Sequence, residues 1–233
     1  MRPEPRAVLF DLDDTLYPLQ QFLLSGFRAV AAHVQTAWDH DAGAALEVLT
    51  AAYSTDRGHE LDVLALRLAL PAGAAAALIR VMQMHTPSLQ LPSHASLVLA
   101  AMRPTWRTGI VTNGRADIQA RKVAALGLAS LVDTVVLAAE HGSGVGKPDA
   151  APFLAACLAL GVTPAQTVFV GDDLDCDIVG AHAVGMQTIW LPSTITPQRA
   201  AALACADLML PSLAGVPVAA DQLFESRWSC HVA

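Results

Sequence analysis

Cysteine is scarce. The four present, Cys157, Cys176, Cys205 and Cys230, form no CxxC pair. Reduced, unligated thiols of a cytosolic protein are the expected state. A basic excess is also missing. The formal net charge of −7 argues against nucleic acid as a partner, because phosphate backbones are bound by clustered Lys and Arg. A long charge-free run, between Arg80 and Arg103, is broken by Pro87, Pro92, Gln83, Gln90, His85 and His94. It makes a poor bilayer span, and no membrane partner is expected. The start MRPEPRAVLF runs into an acidic motif at Asp11. That leaves no room for the apolar region of a signal peptide, so a cytoplasmic location is expected.

What is present is apolar residue: 54% of 233 positions, enough to bury a core without disulfide staples. The rarer carboxylates are unevenly placed. Many fall in two short stretches, Asp11 to Asp14 and Asp172 to Asp177. Such bunching is repulsive unless a cation sits among the acids.

Short apolar runs at 7–10, 108–112, 134–137, 167–170, 188–191 and 208–210 read as buried strands. Helical stretches at 116–126, 151–160 and 178–184 separate several of them. The alternation predicts βαβ units and a parallel α/β sheet with functional loops at the strands' carboxyl ends. Residues 17–92 break this rhythm. Leu23, Phe27, Val30 and Val34 follow helical spacing, as do Leu61, Leu64 and Leu68. A helical insertion at 17–92 is therefore expected within a core of residues 1–16 and 93–233.

Four motifs occur in order: Asp11-Leu12-Asp13-Asp14-Thr15, Thr112-Asn113, Lys147-Pro148, and Gly171-Asp172-Asp173 with Asp177. Each alone has a plain reading as a turn or helix cap. Two mimics fail. The loop from Asp173 has Ile178 and Val184 where a calcium loop needs Gly and Glu. The loop 142–147 has Pro148 where a nucleotide loop needs Ser or Thr. A carboxylate at Asp11, facing an open crevice, can attack phosphorus. Asp13 can protonate a leaving oxygen and later deprotonate water. Thr112 and Asn113 offer polar groups to phosphate oxygens, and Lys147 offers charge.

The ordered set resembles the haloacid dehalogenase-like superfamily. The insertion resembles the α-helical cap, between motifs one and two, of its phosphoglycolate phosphatase and acylneuraminate-9-phosphatase-like branch. The resemblance implies a Rossmann-like parallel core whose central strand ends at Asp11, flanked by strands ending near Thr112 and Gly171. It implies Mg²⁺ held by Asp11, the Asp13 carbonyl and Asp172, with Asp173 and Asp177 behind them. It also implies an aspartyl-phosphate on Asp11 and a small phosphorylated metabolite as substrate, selected by the cap. Haloacid dehalogenases of the family generally lack the second aspartate of motif one, so Asp13 disfavours dehalogenation. Phosphonate hydrolases use a cap lysine, whereas the two lysines here, Lys122 and Lys147, both lie outside the insertion. A sugar-phosphate mutase would share the same core residues, and a silent phosphate-binding module is the non-enzymatic alternative.

Overall fold

The computed structural model describes residues 5–141, 146–192 and 204–229. Residues 142–145, the glycine-rich stretch ahead of Lys147, and Cys230 lie outside the described residues.

Six parallel strands form one sheet in the order β3-β2-β1-β4-β5-β6. They are β1 (Ala7–Phe10), β2 (Arg107–Thr112), β3 (Thr134–Leu137), β4 (Thr167–Gly171), β5 (Gln187–Trp190) and β6 (Leu208–Met209). The expected strands are all present. The register pairs Phe10 with Ile110 on one side and with Val170 on the other. Asp11, Thr112 and Gly171 therefore stand near one another at the carboxyl edge.

All four residues of β1 are fully buried. That is why the strand reads as a continuous apolar run rather than an alternation. Ala7, Leu9, Val111, Val136 and Phe169 share a core cluster with Phe153, Ala156, Cys157 and Leu160 of α7 (Ala150–Leu160). The helix stops at Gly161, whose φ of 60° is the left-handed conformation that suits a helix end. On the rest of the sheet, α5 (Ser93–Met102) packs on β2, α6 (Ala116–Ala125) on β3, and α9 (Val216–Ser229) on β4 and β5.

One expected helix is different. Instead of 178–184, the chain winds from Leu174 to Val179 as a wide π-type turn and only then enters the short α8 (Gly180–Ala183). The Asp173 side chain caps the start, accepting from Asp175 N at 2.9 Å and Cys176 N at 2.8 Å. Its carbonyl accepts from Asp177 N at 2.9 Å and from Ile178 N at 3.3 Å. The polar Asp173–Asp177 stretch carries no apolar periodicity, so the winding was invisible in the pattern. Wide turns of this kind recur at functional sites.

The chain divides into two compact units, and the second is Leu19–Leu89. It is all-helical: α1 (Leu19–Trp38), α2 (Ala42–Thr55), α3 (Glu60–Arg67) and α4 (Ala74–Met84). Its own core holds Phe27, Val30, Val34, Ala45, Leu49, Leu64 and Leu78. Asp41 caps α2 by accepting from Ala44 N at 2.7 Å, a contact worth ~1 kcal/mol. Gly26 lets α1 meet α4 closely, since a Cβ there would overlap Met82. Replacing fully buried Leu49 by Ala would cost ~2–5 kcal/mol. Tyr17 belongs to the sheet unit, which runs to Pro18 and resumes at Gln90. Among the described residues, no helix is long and apolar enough to cross a membrane.

Candidate active site

In the strand order 3-2-1-4-5-6, the chain winds in opposite directions from β1 and β4. The crevice beyond their carboxyl ends is where open parallel sheets bind ligands. Asp11 leaves β1 there, and its N–H donates to Val170 O at 2.9 Å. Asp172 leaves β4 one residue past the strand. Its carbonyl accepts from Trp190 Nε1 at 2.9 Å, which ties the loop to β5. A cavity of about 220 Å³ opens at this edge, lined by Asp11, Asp13, Thr112, Asn113, Lys147 and Asp172, with Asp173, Cys176 and Asp177 beside them.

Lys147 is the hub of one half of the site. Buried, it donates to Asp11 Oδ1 at 2.5 Å and to Asp177 Oδ1 at 2.6 Å. Asp177 Oδ2 accepts from Asp173 N at 3.1 Å. Gly171 makes room for this carboxylate, because a Cβ at that position would overlap it. One carboxylate oxygen each of Asp11, Asp172 and Asp177 lie within 4.8 Å of one another.

Burial pushes Asp11 up to about 7, and Asp177 adds to the rise while Lys147 opposes it. Burial also lifts Asp172 to about 7, helped by the charges of Asp11, Asp14 and Asp173. Asp177 is raised by burial against the pull of Lys147. Burial alone would lower Lys147, but Asp11 and Asp177 outweigh it and hold the ammonium above its ordinary value. One lysine thus does not neutralise three converging acids. The oxygen-only donor set and the unrelieved repulsion fit a hard divalent cation such as Mg²⁺.

Asp13 points elsewhere. Its carboxylate accepts from Tyr17 Oη at 2.6 Å, from Gln119 Nε2 at 2.9 Å, and from Lys122 Nζ at 2.9 Å on both oxygens. Its side chain is outside the three-acid cluster. The adjacent Asp14 takes a left-handed φ of 58° as the loop turns, and its N–H donates to Tyr17 O at 2.9 Å.

Thr112 is buried, and its hydroxyl accepts from Gln119 Nε2. Asn113 grips the backbone of Lys147: Nδ2 donates to Lys147 O at 2.9 Å, and Oδ1 accepts from Lys147 N at 2.7 Å. Gly146 accommodates that grip, since a Cβ there would meet the Asn113 amide. Motif two therefore fixes the loop that delivers the lysine.

Tyr17, Gln119 and Lys122 did not emerge from the motifs. The signal was a polar pair, Gln119 and Lys122, on the face of α6 that also buries Val123. A polar group at a core-facing helical position demands a partner, and the partner is Asp13.

A larger cavity, about 860 Å³, lies at the strands' amino ends, lined by Arg6, Arg103, Trp106, Arg107, Asp133 and Phe224 among others. Its arginines are held by protein groups: Arg6 by Asp221, Arg103 by Ser130 O, Arg107 by the carbonyls of Leu160 and Gly161. The convergent acids are at the opposite end, and size does not decide the site.

Comparison with known proteins identifies the family. A family model described as "haloacid dehalogenase-like hydrolase" matches residues 5–185. A glyceraldehyde 3-phosphate phosphatase of Methanopyrus kandleri is 31% identical over 194 residues, 79% of this chain and 82% of that protein. A ribulose-1,5-bisphosphate 5-phosphatase of Halopiger xanaduensis is 31% identical over 201 residues, 78% and 83% of the two chains. Among solved structures, a 2-haloacid dehalogenase of Pseudomonas syringae superposes with a TM-score of 0.62 at 25% identity, covering 97% of this chain and all of the other. With an ordered four-motif core, a six-stranded parallel sheet and a family match over most of its length, the chain belongs to the haloacid dehalogenase-like hydrolases.

Proposed function

We propose that the protein is a Mg²⁺-dependent phosphatase that hydrolyses a small phosphorylated metabolite through an aspartyl-phosphate on Asp11. One observation carries the reading: Asp11 sits at the sheet's switch point, bonded to Lys147 and converging with Asp172 and Asp177. The two relatives above are named for phosphorylated carbohydrates, and the same chemical class is proposed here.

An Asp11 oxygen attacks phosphorus, and the phosphorus–oxygen bond to the leaving group breaks. Asp13 gives its proton to the departing oxygen. A water then attacks the phosphorus of the acyl-phosphate and yields its proton to Asp13. The bond to Asp11 breaks, releasing phosphate and restoring both carboxyl groups. Lys147 favours the anionic form of Asp11 and offsets the phosphoryl charge. The Thr112 hydroxyl and the second amide hydrogen of Asn113 are assigned to phosphoryl oxygens. Asp11, Asp172 and the Asp13 carbonyl would hold Mg²⁺, with Asp177 and Asp173 supporting them. When bound, the ion supplies the positive charge that lets a phosphate approach three acids.

The helical insertion, expected at 17–92 and forming the compact unit Leu19–Leu89, is proposed as the substrate-selecting cap, with the remainder of the chain as the catalytic core. Dehalogenation is another chemistry within the family, less favoured than the sugar-phosphate mutase alternative, because Asp13 is a proton donor that halide departure does not require. The test is a screen of phosphorylated sugars and an aryl phosphate, with Mg²⁺ and with a strong chelator, alongside a 2-haloacid. Phosphate release that needs the metal is expected. Undiminished release by metal-free protein, or halide release alone, would overturn the reading. Trapping with a fluoride analogue of the phosphoryl group should label the Asp11 oxygen.

A further inference from the structure

The sequence has two lysines, and both are buried against the aspartates of motif one. Lys147 bonds Asp11, while Lys122 bonds Asp13 at 2.9 Å through both carboxylate oxygens. Lys122 is 4% exposed and Gln119 is 2% exposed. Burying a lysine on a carboxylate is a poor way to gain stability, because desolvation cancels much of the attraction. Apolar side chains in place of both partners would fill the same space at no such cost. A buried ion pair on a side chain assigned to proton transfer calls for another account.

That account is orientation. A carboxylate that must hand a proton to a leaving oxygen, and later take one from water, has to present a chosen oxygen within hydrogen-bond reach. A free Asp side chain rotates about two bonds. Here Tyr17 holds one oxygen of Asp13, Gln119 the other, and Lys122 both. Gln119 uses the same nitrogen to reach the Thr112 hydroxyl. The acid/base carboxylate and the hydroxyl assigned to the phosphoryl group are thereby linked through a single buried amide.

We propose that Lys122 and Gln119 are positioning residues that hold the Asp13 carboxylate in register with the phosphoryl-binding Thr112. Both act through Asp13. The proposal rests on the reading of Asp13 as the general acid/base. It also predicts a division of labour between the two lysines: Lys147 serves the nucleophile and the phosphoryl charge, and Lys122 serves the proton.

The experiment compares kcat/KM for p-nitrophenyl phosphate with kcat/KM for the best alkyl phosphate of the screen. It uses the wild type, D13N, K122M, Q119M and the D13N/K122M double variant, all in the full chain with Mg²⁺. This parameter stops at leaving-group departure, where nitrophenolate needs little protonation and an alkoxide needs much. K122M and Q119M should each lose ~10²-fold on the alkyl ester, the scale of a misplaced catalytic group. The loss on the aryl ester should be several-fold smaller. The double variant should be no slower than D13N, because Lys122 acts through Asp13. Equal losses of K122M on both esters, or full additivity with D13N, would overturn the inference while leaving the Asp13 reading intact. If D13N itself shows no alkyl-selective loss, the acid/base reading fails and takes the inference with it. Q119M repeats the test from a neutral residue, so a poorly folded K122M does not remove it.

Discussion

Asp11 and Asp13 are two residues apart on one loop, yet their carboxylates keep opposite company. Asp11 shares Lys147 with Asp177 and faces Asp172 as well, so acids outnumber the cation around it. Asp13 receives a lysine, an amide and a phenol. One setting is short of positive charge, and the other is saturated with donors. Residue type does not assign a role in such a pair; neighbours brought from distant segments do. The first setting is suited to recruiting a cation and a phosphoryl group, the second to holding a proton carrier still.

The largest effect should come from exchanging the two. Asp11→Asn keeps the shape but removes the proposed nucleophile, and kcat should fall by roughly 10⁴–10⁶-fold on every ester. Asp13→Asn should cost ~10²–10⁴-fold, and less in kcat/KM for an aryl phosphate. Equal losses at both positions on the aryl ester would erase the distinction between them.

Lys147→Ala probes the crowded side. It strips Asp11 and Asp177 of their shared partner and should depress all esters alike by ~10²–10³-fold, the scale seen when a preorganised charge partner is lost. A change confined to substrate ranking would contradict the assignment. Ranking is instead expected to respond to the helical unit. Arg28, Arg57, Arg67 and Arg80 are all exposed there. If one of them meets a substrate, its removal should shift relative kcat/KM among sugar phosphates by ~10–200-fold and spare the aryl ester. Equal slowing of all esters would place the residue in the common machinery.

The smallest effect is on stability. In the metal-free protein, Asp11 and Asp172 titrate near 7 instead of the ordinary 3.8. The folded state thus binds their protons more tightly than the unfolded chain does. Stability from this source is fully present below about pH 4 and is lost as pH rises through about 7. A cation favours the ionised acids, so Mg²⁺ should raise Tm more at pH 8 than at pH 5. At a concentration 100-fold above Kd the gain is ~2.7 kcal/mol, or several degrees at ~2–4 °C per kcal/mol. An equal shift at both pH values would mean that these acids do not hold the ion.

The sheet was legible in the sequence because its strands are short apolar runs, the central four buried on both faces. Thr134–Leu137 and Ala7–Phe10 come out with the expected ends. Asp11, Thr112 and Asp172 could be placed together because each stands at or just past the carboxyl end of a parallel strand, and Lys147 joined them through the ordered motif set. The wide turn at Leu174–Val179 was not legible, since a capping carboxylate sets it and no periodicity marks it. Nor was the hold of Asn113 on the Lys147 peptide, or of Lys122 on Asp13. Both join residues far apart in the chain, and a single sequence carries no record of which distant polar groups meet.

The complete burial of β1 also bears on how this protein tolerates change. Ala7, Val8, Leu9 and Phe10 are each 0% exposed, so the strand has no forgiving side. In a saturation scan scored by activity, the strand and the proposed nucleophile would merge into one block of intolerant positions from 7 to 11. Scoring the same library for cellular abundance would split the block. Substitutions at 7–10 would deplete the protein, whereas Asp11→Asn, which relieves a buried charge, would leave abundance at or above the wild-type level.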